Sequence, residues 1–144
     1  MHTSFDEERQ PVRLSPEGTP RGYVDHALAP TVLIVDDHPS FRAMARFVLE
    51  AEGYEIVGDA ANGESGVAEA IRLNPDIVLL DIGLPDIDGF DVVSRIRDAG
   101  VDSAIVLTST RDASDYGPLL TESGAEGFIA KSDLSGDALR ALVA

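Results

Sequence analysis

The 144-residue chain contains no cysteine, which excludes a disulfide framework, a thiolate metal site and a cysteine nucleophile and is compatible with a reducing interior. It also lacks any apolar run near the roughly 20 residues that span a bilayer, and its N-terminus is acidic and polar where a secretory leader is basic and then apolar. A soluble, cytoplasmic protein without membrane contact is expected. Basic side chains are scarce: 11 Lys and Arg stand against 26 Asp and Glu, a formal net charge of −15. With cations so few and nowhere clustered, a phosphate backbone is repelled, so direct nucleic-acid binding by this chain is not expected. The acidity suits a divalent cation or a basic partner, although a solvated surface accounts for most of it. Repeats of solenoid length are missing as well.

What is present starts with a boundary. Residues 1–30 hold four of the eight prolines, few apolar residues and no helical or strand period, the composition of a flexible arm that does not repay its ordering entropy. Within it, Tyr23, Val24 and Leu28 form the cluster best able to lie against a following domain. Over residues 31–144 short apolar runs alternate with helical patterns, the rhythm of parallel strands and crossover helices. Strands read over 31–36, 54–59, 76–81, 104–109 and 126–131. The first, third and fourth (VLIV, IVLL, AIVL) are nearly continuous apolar runs, as strands covered on both faces should be.

The first helix opens at Pro39, sets Phe41, Met44, Ala45, Val48 and Leu49 on its inward stripe and stops at Gly53. The second, over 64–73, turns Val67, Ala70 and Ile71 inward and ends at Asn74-Pro75, because a residue before proline avoids helical angles. The third carries Phe90, Val93 and Ile96 and closes at Gly100. Gly117-Pro118 falls within the fourth, which is therefore expected broken or starting late near Pro118. The fifth, over 136–144 with Ser135 as cap, is short enough to depend on docking. Five such units predict a flavodoxin-like, doubly wound α/β sandwich, strand order 2-1-3-4-5, with helices on both faces. Ligands of this architecture bind beyond the carboxyl ends of the strands, where the strand order reverses.

Strand one ends in Asp36-Asp37 and strand three in Asp81, and these strands are neighbours in that order. Three carboxylates in one crevice repel one another unless a cation neutralises them, and hard oxygen donors with room for water suit magnesium. Ser109 closes strand four and Lys131 closes strand five, bringing a hydroxyl and an ammonium to the same edge. A carboxylate held beside a metal and a lysine can accept a phosphoryl group, because both cations neutralise the transferred oxygens. Each residue alone reads as an ordinary turn or cap; their placement at the ends of four strands carries the inference. His38, at the helix entrance beside Pro39, reads as structural or solvated rather than as a ligand. Asp86-Ile87-Asp88-Gly89 reads as a tight turn rather than a calcium loop, whose later ligands are lacking.

The segments VLIVDDHPSFR, DIVLLDIGLPDIDGFDVV, AIVLTS and SGAEGFIAKS resemble the signature segments of bacterial response-regulator receiver domains over residues 31–144. DDHP and GxxGFxxK resemble receivers that often precede helix-turn-helix output domains. The resemblance implies a CheY-like fold and a two-component phosphorylation switch with Asp81 as phosphoacceptor. Asp37 is then the direct metal ligand, Asp36 its partner acting partly through water, and Gly83 the donor of a backbone carbonyl to Mg2+, with Mn2+ as a substitute. Lys131 pairs with the phosphoryl oxygens, Ser109 hydrogen-bonds them after switching, and Phe128 is the aromatic that changes rotamer. The implied partner is a histidine kinase or phosphotransfer protein. Switching is passed to the face made by helix four, strand five and helix five, which is also where a homodimer would form.

Phosphohydrolases of related fold carry a second acid two residues after the nucleophile; that position is Gly83 here, so no turnover on external substrates is expected. A receiver-shaped module that signals by docking alone has usually lost a carboxylate or the lysine, and this chain has lost neither. Thr108 competes with Ser109 for the hydroxyl role; counting back without a gap from Gly124-Ala125 and Lys131 lands on Ser109, and strand alternation is then expected to turn Thr108 elsewhere. The family commonly has proline with a cis bond after the lysine, but Ser132 stands here, so a trans Lys131–Ser132 bond is expected.

Overall fold

The computed structural model describes residues 11–14 and 29–143. Five strands, β2 (Thr31–Val35), β3 (Glu55–Ala60), β4 (Ile77–Asp81), β5 (Ala104–Ser109) and β6 (Gly127–Ala130), pair in parallel in the order β3-β2-β4-β5-β6. This is the predicted 2-1-3-4-5 arrangement. A sixth strand, β1 (Val12–Arg13), adds to the β6 edge antiparallel, Val12 opposite Phe128. The sequence reading has no strand within residues 1–30, and this corrects it: two residues are too few for a period of two to show. The strand is nonetheless anchored. Leu14 is buried and donates its N–H to Glu126 O at 2.8 Å, while the Arg13 guanidinium reaches Ala141 O at 2.5 Å and Leu142 O at 3.3 Å. Covering an edge removes unpaired backbone groups that otherwise recruit another chain. Tyr23, Val24 and Leu28 lie outside the described residues.

Helices α1 (Pro39–Ala51) and α5 (Gly136–Val143) cover one face of the sheet; α2 (Gly63–Leu73), α3 (Gly89–Asp98) and the short α4 (Pro118–Thr121) cover the other. Strand alternation sorts the core accordingly: Ile34, Leu79, Val106 and Ile129 meet Phe41, Ala45, Leu49 and Leu139, while Val35, Leu80, Leu107 and Phe128 meet Ala70, Val92 and Ile96. Two predicted inward residues are exposed instead, Met44 at 39% and Ile71 at 51%. In α2 the buried stripe is Gly63, Gly66 and Ala70. A Cβ on Gly66 would lie 2.7 Å from Val35 Cγ1, so the helix rests against β2 on its small residues and the larger Ile71 turns outward.

The breaks fall where the sequence places them. Asn74 ends α2 in the left-handed region (φ 45°), and Gly100 follows α3 at φ +82°. A 3-10 turn, Ala113–Asp115, and Gly117 at φ +58° interrupt the fourth helix, which starts at Pro118. Ser135 Oγ accepts the Ala138 N–H at 3.0 Å and so opens α5. All described peptide bonds are trans, Lys131–Ser132 included. No helix among the described residues is long and apolar enough to cross a membrane.

Candidate functional site

Alternation along each strand decides which face a strand-end residue joins. Asp36 continues the Val32 and Ile34 side of β2, Asp81 the Ile77 and Leu79 side of β4, and Lys131 the Ile129 side of β6, so all three belong to the α1/α5 face. Lys131 is the only lysine in the chain. Its stem lies over Phe41 of α1, with Nζ 4.6 Å from the ring centroid. The ammonium is 2.6 Å from Asp36 Oδ2 and 3.5 Å from Asp81 Oδ2.

Asp36 is wholly buried and Asp81 nearly so, with Asp37 half-buried beside them. One ligand atom each from Asp36, Asp37, His38 and Asp81 lies within 4.8 Å of the others. Asp36 Oδ1 accepts the His38 N–H at 2.8 Å and lies 3.0 Å from His38 Nδ1, which is itself 3.2 Å from Asp37 Oδ1. His38, read from the sequence as structural or solvated, is exposed and lies against both carboxylates. Because α1 starts at Pro39, His38 becomes its N-cap and is folded back over the acid pair. Asp81 Oδ1 accepts the N–H of Gly83, an exposed residue, at 3.2 Å. Beneath Asp81, a Cβ on Gly89 would lie 2.8 Å from Asp81 O, so only glycine lets α3 begin this close to the site.

Burial, followed by the neighbouring Asp36 charge, pushes the Asp81 carboxyl above its usual value, against the opposing pull of Lys131 and the Gly83 N–H. One ammonium faces three carboxylates. Asp36 Oδ2 meets Lys131 as an ion pair without hydrogen-bond alignment, and Asp37 Oδ1 accepts no hydrogen bond, although both oxygens are buried. Buried carboxylate oxygens left in this state are costly, and a hard divalent cation with oxygen preference satisfies them. The donor set therefore fits such an ion.

The remaining predicted residues occupy the other face. Thr108 is the register partner of Asp81, and alternation puts it on Asp81's side, buried, with Oγ1 lacking a hydrogen-bond partner. The expectation that Thr108 turns elsewhere is thus overturned: the β4–β5 register, and not the count to Lys131, fixes its side. Ser109 takes the opposite side with Leu107. Its Oγ is 2.6 Å from Tyr116 Oη and accepts the Arg111 N–H at 3.0 Å. The Tyr116 ring meets Phe90 edge-on at 5.9 Å and Phe128 at 6.2 Å, and Phe128 is buried. Tyr116 escaped the sequence reading; its signal was a lone phenol just ahead of the Gly117-Pro118 break.

A parallel sheet in this order, with an acid cluster and a lysine beyond the ends of its strands, is the CheY-like receiver architecture. The chain belongs to the response regulator receiver domain family, whose family model matches residues 32–144. It is 37% identical over 102 residues to a putative transcriptional regulator of Pseudomonas aeruginosa, covering 71% of this chain and 49% of that protein. To the virulence factors putative positive transcription regulator BvgA of Bordetella pertussis it is 36% identical, with the same coverage. The chain thus spans about half the length of these curated relatives. Among solved structures, the CheX-CheY-BeF3-Mg complex of Borrelia burgdorferi superposes with a TM-score of 0.71 at 29% identity, covering 88% of this chain and 96% of that one. The protein is accordingly a receiver domain of two-component signalling.

Proposed function

We propose that this receiver works as a magnesium-dependent switch phosphorylated on Asp81. The observation that carries the reading is the sharing of one ammonium, Lys131, between the buried carboxylates of Asp36 and Asp81, with Asp37 oxygens alongside. An Asp81 oxygen attacks the phosphorus of a phosphohistidine presented by a histidine kinase or phosphotransfer protein. The P–O bond forms as the P–N bond breaks, and the imidazole leaves with the bonding pair. Lys131 exchanges part of its pairing with Asp36 for the incoming phosphoryl oxygens. Asp36, Asp37, Asp81 and the Gly83 carbonyl would hold Mg2+, or Mn2+, which when bound supplies charge against those oxygens. Thr108, the register partner of Asp81 with its buried Oγ1 unpartnered, rather than Ser109 on the opposite face, donates to the phosphoryl group after switching, and Phe128 changes rotamer with it. Hydrolysis of the acyl phosphate resets the site.

Turnover on external substrates is not part of this reading, because Gly83 offers no second acid. The working unit is residues 31–144 with β1 (Val12–Arg13) laid along its β6 edge, and the setting is the cytoplasm. The relatives' names as transcription regulators support a place in signal-dependent gene control. The output would then pass through the α4–β6–α5 face, which is also the site of a homodimer. Acetyl phosphate with Mg2+ should add one phosphoryl group by intact mass, and Asp81→Ala should add none; undiminished modification of that variant overturns the assignment.

A further inference from the structure

We propose that the N-terminal strand β1 is a built-in cap on the α4–β6–α5 face, closing it against a second copy of this chain until the phosphorylated site releases it. The inference rests on the readings of Asp81 as phosphoacceptor and of that face as the place of a homodimer. Residues 12–14 touch all three elements of the face, because side chains alternate along a strand. Val12 and Leu14 turn to the side of α4 and join the apolar cluster that holds Leu120 and Phe128. Arg13 turns the other way and donates to the carbonyls of Ala141 and Leu142 in the last turn of α5, where a cation also complements the helix dipole. Between these contacts the backbone runs antiparallel along β6, with Val12 opposite Phe128 and Arg13 opposite Gly127. A Cβ on Gly127 would lie 2.8 Å from Val12 O, so a side chain at that position would push the strand away.

A second copy brought up by a two-fold axis offers β6 what β1 offers, an antiparallel edge, so the two compete for the same place. They exclude one another, because the Leu14 N–H already holds Glu126 O at 2.8 Å and Arg13 occupies the end of α5. The cap is also slight enough to leave. Its ladder is two residues long, Arg13 is exposed, and only Leu14 is buried, and segments with so few buried contacts open locally at small cost. Phe128 links the cap to the site. It is the register partner of Val12 and packs in the cluster that holds Leu14, so a change in its rotamer alters the surface on which β1 rests. A dimer needs two open copies, and its association constant therefore follows the square of the uncapped fraction.

The test is analytical sedimentation of the whole chain over a range of concentrations, with and without beryllium fluoride in saturating Mg2+. Arg13→Ala removes the bonds to α5 without touching the core, and Leu14→Pro removes the N–H that Glu126 O accepts. Loss of a hydrogen bond worth about threefold per copy becomes about tenfold in the dimer. Without beryllium fluoride, Arg13→Ala should therefore form a reversible dimer about tenfold more tightly than the native chain, and Leu14→Pro more tightly still. Beryllium fluoride should tighten the native dimer and add less to either variant, since their caps are already loosened. In the native chain it should also speed hydrogen exchange at the Leu14 N–H. Variants that dimerise no more tightly than the native chain overturn the cap, as do irreversible larger species in place of a dimer, which would make β1 a plain cover for an adhesive edge. If neither variant folds, the exchange measurement decides: a native chain that dimerises with the Leu14 N–H as protected as before overturns the cap and leaves the dimer reading standing. A chain that stays monomeric in every form and condition defeats the dimer reading itself. One that takes no phosphoryl group from acetyl phosphate defeats the Asp81 reading, and in either case the cap falls with it.

Discussion

The two faces of the sheet divide the work. On the α1/α5 side, buried charges are fixed by one another: Asp36 and Asp81 lie at 2.6 and 3.5 Å from a single ammonium, over a helix of 13 residues. On the other side, Ser109, Tyr116, Phe90 and Phe128 meet through hydroxyls and rings, beside a helix of only four residues. Charge in a low-dielectric crevice is held rigidly because displacement leaves it uncompensated, whereas aromatic contacts give up little when a rotamer changes. The two sides are one residue apart along β5, where Thr108 faces one and Ser109 the other. A strand end is thus a natural relay between a fixed site and a movable cluster.

The largest effect is expected at Lys131, the one cation that holds the charged side. Replacing it by Met leaves two buried carboxylates facing each other, and loss of one partner from a buried ion pair costs about 3–5 kcal/mol. Lys131→Met should therefore lose about that much stability at pH 7 in urea unfolding without Mg2+. Added Mg2+ should restore a good part of it, since an ion that binds only the folded state stabilises by mass action. A variant as stable as the native chain without Mg2+ would show that the site charges are not held together as described.

On the opposite side the matching perturbation is steric. Gly66→Ala places a methyl group 2.7 Å from Val35 Cγ1, and overpacking of this kind costs about 1–3 kcal/mol. Mg2+ affinity, measured by titration, should not change, because the clash lies on the α2 side while the ligands project to the α1 side. A large fall in Mg2+ affinity would show that the two faces are not separate.

The fixed side was the legible one. Strand ends can be read from apolar runs, and Asp36, Asp37, Asp81 and Lys131 needed only the sheet order to be brought together. Ser109 was placed by counting, but its orientation relative to Thr108 depends on the register between β4 and β5, which no local pattern encodes. Tyr116 was invisible because it sits in irregular chain between two breaks, where periodicity gives no face. The exposed Ile71 shows a related limit: helical spacing picks out apolar residues, yet Gly63 and Gly66 decide which stripe approaches the sheet. The strand at Val12–Arg13 depends on an edge that exists only once β6 is formed.

The smallest expected effect is a contrast in pH dependence between two aspartates. Asp81 and Asp86 are five residues apart, and their environments push them in opposite directions. Asp86 accepts the Gly63 and Glu64 N–H groups at 2.7 and 2.9 Å, at the start of α2, and these bonds hold its carboxyl down to about 2. Its folded value lies below the usual 3.8, so its contribution is present above that value and disappears as pH falls toward about 2. Asp81, raised chiefly by burial, has the reverse sign: its contribution is full below the ordinary carboxylate range and is lost as pH rises through its folded value. Stability without Mg2+, followed by circular dichroism across this range, should therefore lose part of its acid-side fall in Asp86→Ala and part of its decline with rising pH in Asp81→Asn. The Asp86 effect is the smaller, because the carboxylate is solvent-exposed and Asn62 still caps α2 through the Ser65 N–H at 2.8 Å. If both variants changed the curve in the same direction, the contrast between a capping carboxylate and a buried, cation-seeking one would be lost.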